Sequence, residues 1–179
     1  IQSRATMAGN LCNASPAADA VPALVAAGAI CTIAGPTGRR ELPVEAVCTG
    51  PGQTSLRSGE FVVSFWFSTP RVGSSDAYLR FIPRTEMDIA VVGAGIHISL
   101  DSEGICEEAR VAVGAAAPTV LLVAESAAAL VRTMVDDAAI DKSHLVILDA
   151  ENVAAGPLAR AYLDHRVPFG FHGNWRNSD

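Results

Sequence analysis

Between Ala20 and Ala34 the chain is strongly apolar, and this stretch narrows the possible folds more than any other feature. It carries Pro22 and Gly28 and falls short of the roughly 20 residues that cross a bilayer, so no membrane span is expected. Nor does it offer the basic start and small-residue cleavage site of a secretory signal. It has to be buried inside a fold. Asp19 stands where an N-cap is needed, Pro22 falls in the first turn and Gly28 can stop a helix, so the sequence predicts a short buried helix running into a strand at Ala29.

The rest of the chain reads as an α+β protein. Ala29–Ala34 and Glu41–Val47 are extended in character and joined by Gly35-Pro36-Thr37-Gly38, which suits a hairpin turn. Phe61 to Phe67, FVVSFWF, is rich in aromatic and β-branched residues and predicts a strand. Residues 68–76 hold Pro70, Gly73 and several serines, which marks a boundary. Tyr78–Ile82, the apolar stretch to Leu100, the turn at Asp101-Ser102-Glu103-Gly104 and Ile105–Val113 then suggest an antiparallel sheet. Helix is expected over Ala124–Arg132, from Asp136 to Ile140 and over Asn152–Asp164, with a strand at Leu145–Leu148.

Of 179 residues half are hydrophobic, enough for a buried core, and nineteen Asp and Glu outweigh thirteen Lys and Arg for a formal charge of -6. Such a surface repels phosphates, so a nucleic-acid partner is not expected. Cys12, Cys31, Cys48 and Cys106 are scattered, without the paired spacing of zinc, iron–sulfur or disulfide frameworks, and read as buried thiols of a reducing, cytoplasmic compartment. His97, His144, His165 and His172 show no ligand spacing, so no metal site is expected. No Gly-x-Ser-x-Gly elbow recommends a hydrolase, and Trp66 and Trp175 suit core or interface roles.

Two stretches invite a dinucleotide. Val91-Val92-Gly93-Ala94-Gly95-Ile96 looks like a strand entering Gly-x-Gly, but Ile98 stands where the third glycine belongs and the next residues are extended, so small residues in a packed strand are the better reading. The other is Thr6-Met7-Ala8-Gly9-Asn10, followed by Asn13-Ala14-Ser15-Pro16-Ala17-Ala18-Asp19. Small residues let a backbone approach a pyrophosphate, hydroxyls and free N–H groups donate to its oxygens, and a carboxylate accepts from ribose hydroxyls. By itself such a loop is equally what the start of any helix needs.

Taken in order, Ile1–Asp19, Gly38-Arg39-Arg40, Glu60 before FVVSF, and Arg80-Phe81-x-x-Arg84-x-x-x-Asp88-Ile-Ala resemble the FAD-binding (medium) subunits of molybdenum hydroxylases, the carbon monoxide dehydrogenase/xanthine dehydrogenase family. There a Thr-Ile-Gly-Gly-Asn loop leads into Ala-Ser-Pro-x-x-Asp and a helix. The resemblance runs to about Val131. It implies the C-terminal part of a two-lobed FAD-binding domain over residues 1–70, then a flavoprotein C-terminal-like α+β domain over 76–179 that diverges after about 141. Thr6, Met7, Ala8, Gly9 and Asn10 would line the FAD pyrophosphate, with Ser15 shaping the loop and Asp19 holding a polar part of the cofactor. Val62 matches an apolar position near the cofactor, Arg80 a lysine that approaches it, and Asp88 a further candidate.

The activity implied is electron transfer. FAD would pass electrons from iron–sulfur clusters to an external acceptor, and molybdopterin and the clusters would belong to partners, a molybdenum-binding large subunit and an iron–sulfur small subunit. The chain would supply no acid–base catalyst. It departs from the family pattern in three ways: Ala8 replaces the first glycine of the loop, the family's upstream glycine-rich phosphate loop is missing, and residues 141–179 agree poorly with the usual C-terminal region. The sequence begins at Ile1, so a fragment is expected. A cofactor-free remnant acting as an assembly or interaction module is the alternative.

Overall fold

The computed structural model describes residues 4–84 and 88–135 and the backbones of two further strands. Two short helices open the chain, α1 (Met7–Cys12) and α2 (Ala20–Ala26), followed by β1 (Ile30–Gly35), β2 (Gly38–Pro43), a 3-10 turn at Val44–Ala46, β3 (Cys48–Gly50), β4 (Gln53–Thr54) and β5 (Phe61–Trp66). After these come β6 (Ser74–Phe81), β7 (Val92–Leu100), β8 (Cys106–Gly114), β9 (Leu121–Leu122) and α3 (Ala124–Leu130). Together they form a compact unit ending at Thr133. The unit from Met134 onward contains β10 (His144–Leu148) and β11 (Pro157–Tyr162), paired antiparallel.

Helix α2 organises the first unit. Val21, Pro22, Leu24, Val25 and Ala26 are buried, and all of these but Pro22 join Leu11, Ala29, Cys31, Ile33, Val44, Val47 and Ala112 in one apolar cluster. The helix ends where glycine permits a left-handed turn. Gly28 has φ +65°, the Gly28 N–H donates to the Val25 carbonyl at 3.1 Å and the Ala29 N–H to the Leu24 carbonyl at 3.0 Å, a Schellman stop. Arg110 on β8 adds a charged cap, donating to the Val25 carbonyl at 2.9 Å and the Ala26 carbonyl at 3.2 Å and pairing with Glu45 at 3.3 Å.

Strand order in the first sheet is β2-β1-β5, all antiparallel, with the β1–β2 hairpin closing between Gly35 and Gly38. The second sheet is an antiparallel meander, β6-β7-β8-β9, and α2 packs across β6, β7 and β8. Glycine makes that approach possible. A Cβ on Gly95 would run into the Pro22 carbonyl, with its carbon 2.7 Å away, and one on Gly114 would lie 2.7 Å from Pro22 Cγ. Gly95, the second glycine of the Gly-x-Gly of β7, is thus a landing place for a helix, together with Gly114 of β8.

The mixed, antiparallel α+β architecture agrees with the expectation from sequence. Three local expectations need correction. Thr6–Asn10 is no open loop: Thr6 caps α1 and Met7–Asn10 lie within it. Asp19 occupies the N-cap position of α2 but makes no side-chain capping bond; Asn10 Oδ1 takes that part, accepting from the Ala20 N–H at 3.0 Å. Pro157–Tyr162, expected as helix from its alanines, is a strand paired with His144–Leu148, because cross-strand pairing overrides a weak local preference. The helix expected from Asp136 to Ile140 lies outside the described residues.

Candidate functional site

The site grows from the seam between α1, α2 and the edge strand β6. Thr6 is extended, with φ -125° and ψ 152°, and its Oγ1 accepts from the Gly9 N–H at 2.9 Å, which starts α1. The N–H groups of Met7 and Ala8 in the same turn make no hydrogen bond among the described residues, as the first turn of a helix requires. Ala8 lies inside α1 and has no positive φ, so its methyl group is not strained there. Ser15 Oγ accepts from the Ala17 N–H at 3.3 Å and folds the link between the helices.

Asp19, at the head of α2, faces β6. Arg80 Nη1 donates to Asp19 Oδ2 at 2.7 Å and the Tyr78 hydroxyl donates to Asp19 Oδ1 at 3.2 Å. Tyr78 and Arg80 are two apart on one strand and therefore share a face, and Gly93, opposite Arg80, leaves room for the Tyr78 ring, whose oxygen would lie 2.8 Å from a Cβ there. Burial first, then the Asp19 carboxylate, pushes the Tyr78 hydroxyl up to about 12, so it stays a donor. A carboxylate has about four lone-pair sites, so Asp19 keeps accepting capacity after both bonds. Among the described residues Arg80 uses one nitrogen on it and keeps its other donors.

Ala5, Thr6, Met7, Asn10, Asp19 and Ala20 line a shallow cleft of about 310 Å³. The fold thus gathers Thr6, Met7, Asn10 and Asp19 at one place, with Arg80 tied to it through Asp19 and Ala8 and Gly9 on the same short helix. The donor set suits a phosphate-bearing, hydroxyl-bearing ligand such as a flavin dinucleotide: free N–H groups at one end, a carboxylate and a guanidinium at the other. Val62 and Asp88 stand elsewhere. Val62 lies on β5 opposite Ile33, packed against the core. Asp88 accepts from Arg84 Nε at 3.2 Å and from the Ile89 N–H at 2.9 Å, and the Arg84 bonds hold its carboxyl below the usual carboxylate range.

Tyr78 is the site residue that sequence reasoning missed, although the two-residue period linking it to Arg80 was there to be read. The Gly38-Arg39-Arg40 and Glu60 motifs meet in space. Arg40 forks onto Glu60 with bonds of 3.0 and 2.8 Å, and the Arg57 N–H donates to the same carboxylate at 2.8 Å. Those bonds, Arg40 first, bring the Glu60 carboxyl down to about 2.

The family described as FAD binding domain in molybdopterin dehydrogenase matches residues 1–67, and a second, described as retinal pigment epithelial membrane protein, matches residues 89–177. A xanthine dehydrogenase FAD-binding subunit of Escherichia coli O157:H7 is 37% identical over 120 residues, 66% of this chain and 41% of the relative. Among solved structures, a Cu,Mo-CO dehydrogenase in its cyanide-inactivated form superposes with a TM-score of 0.70 at 26% identity, covering 77% of this chain and 48% of that one. Carbon monoxide dehydrogenase from Hydrogenophaga pseudoflava gives 0.68 at 28% identity over 77% of this chain and 47% of its own. The chain therefore spans less than half the length of these relatives. Coverage of 77% cannot be met by residues 1–67 alone, so the likeness to the dehydrogenase structures extends past the first sheet. Residues 1–67 belong to the FAD-binding domain family of molybdopterin dehydrogenases, and the chain is homologous to xanthine dehydrogenase FAD-binding subunits and to carbon monoxide dehydrogenase structures.

Proposed function

We propose that this chain binds FAD as part of a molybdenum hydroxylase and passes electrons from iron–sulfur clusters to an external acceptor. The observation that carries the reading is the cleft lined by Thr6, Met7, Asn10 and Asp19, with Arg80 held against Asp19 at 2.7 Å. The first turn of α1 would receive the pyrophosphate, Asp19 would accept from sugar or ribityl hydroxyls, and Arg80 would face the flavin. FAD supplies the redox chemistry. The chain's own residues bind and orient, and they move no proton of the reaction. Residues 1–70 act as the second lobe of the FAD domain and 76–179 as the flavoprotein C-terminal-like part. The partners are a molybdenum-binding large subunit and an iron–sulfur small subunit, in the cytoplasm.

Titration of the purified chain with FAD, followed by flavin fluorescence quenching, tests this, with a repeat after adding an upstream lobe from a related subunit. Quenching that needs the added lobe supports a cradle built by two lobes. No quenching in either sample favours a cofactor-free assembly module. That second reading draws on two observations: Thr6 Oγ1 is engaged by Gly9, and both Asp19 oxygens already have partners on β6.

A further inference from the structure

A second cleft, toward the far end of α2 from Asp19, plays no part in the reading above. Asp76 on β6 and His97 on β7 are direct cross-strand partners, and His97 Nδ1 lies 2.8 Å from Asp76 Oδ1. An ionised carboxylate can only accept, so the Nδ1 nitrogen carries a proton, and in the neutral form of the ring this tautomer leaves the lone pair at Nε2. Among the described residues Nε2 has no partner. Arg110, the neighbour of His97 on β8, does not compete for it, because its guanidinium is turned onto the end of α2 and Glu45.

The surroundings select a ligand. His97 is 20% exposed and lines the cleft. Ala27, Phe67, Ser68, Pro70 and Asp76 complete the walls around a volume of about 260 Å³. That lies just below the usual range for small-molecule sites, roughly 300–1,000 Å³, and suits a molecule of one or two rings. An apolar wall beside two acceptors, His97 Nε2 and the Asp76 Oδ2 that has no partner among the described residues, favours a planar aromatic that brings its own donor. We propose that this cleft binds a small hydroxyaromatic compound, its ring against Phe67 and Pro70 and its O–H donating to His97 Nε2.

The test uses the full chain labelled at its histidine nitrogens and followed by heteronuclear NMR, with 2-naphthol as the probe and its methyl ether, 2-methoxynaphthalene, as the control. The expected result is that 2-naphthol moves the His97 nitrogen signals, identified by their loss in His97→Phe, while the ether binds at least about tenfold more weakly because it has no hydrogen to donate. His97→Phe keeps the aromatic bulk and is expected to lose about tenfold in 2-naphthol affinity. Unmoved His97 signals, equal binding of the two probes, or undiminished affinity in a folded His97→Phe chain would overturn the proposal. If that variant does not fold, the comparison of naphthol with its ether on the unaltered chain still decides.

Discussion

Asp19 is half exposed, and its contacts with Arg80 and Tyr78 lie at the surface. Water screens such a pair, so it stabilises the fold by at most about 1 kcal/mol. Asp19→Ala is therefore expected to leave urea unfolding nearly unchanged while lowering FAD affinity about tenfold or more in the complemented sample; a variant that unfolds early but keeps its flavin would give the residue a structural role instead. Glu60 behaves differently. Its carboxyl is brought down from an ordinary value of 4.5 to about 2 by Arg40 and the Arg57 N–H, so its contribution is present in full above about 4.5 and is lost as the pH falls toward 2. Acid titration of stability should steepen in that window, and Glu60→Gln should flatten it.

At the scale of elements, the strands were the legible part. FVVSFWF announces β5 through its aromatic and β-branched residues, and the Gly-Pro-Thr-Gly turn announces the β1–β2 hairpin. Helix α1 was not legible, since six residues lack a hydrophobic period, and its start is set by one Thr6 hydroxyl. The strand at Pro157–Tyr162 was hidden by residues whose local preference favours helix and whose pairing partner lies earlier in the chain. Asp19 was found for the wrong local reason: the sequence marked it as a cap, whereas Asn10 caps α2 and Asp19 is left free to face Arg80. Arg110→Met tests the other end of α2. It removes the donors from the Val25 and Ala26 carbonyls and the partner of Glu45, and a loss of about 1–3 kcal/mol is expected from chemical denaturation. A loss near zero would mean that solvent replaces the guanidinium.

At the scale of the molecule, the chain divides at Thr133 into two compact units. Among the described residues, the apolar cluster that includes Leu11, Val25, Ile33, Val47 and Ala112 lies in the first. A chain ending at Thr133 is therefore expected to unfold in one cooperative transition, checked by agreement of circular dichroism and tryptophan fluorescence; disagreement between the two would show that the later residues are needed for the core. Cysteine chemistry belongs to this scale too, because all four thiols are free and burial raises the pKa of each. Slow reaction with a thiol reagent in the folded chain, accelerating in denaturant, is the expected result.

The absent side chains of Gly95 and Gly114 act as a dimensional tolerance for the cleft by α1. A hydrogen bond such as the one joining Asp19 to Arg80 survives over only a few tenths of an ångström, whereas one added carbon stands off by about 1.5 Å. Gly95→Ala is then a change of clearance as well as of packing, costing about 1–3 kcal/mol and shifting the helix that carries Asp19 away from the strand that carries Arg80. Ligand affinity at the cleft should consequently follow the closeness of helix to sheet, and a position that never touches a ligand would set how well the site is aligned.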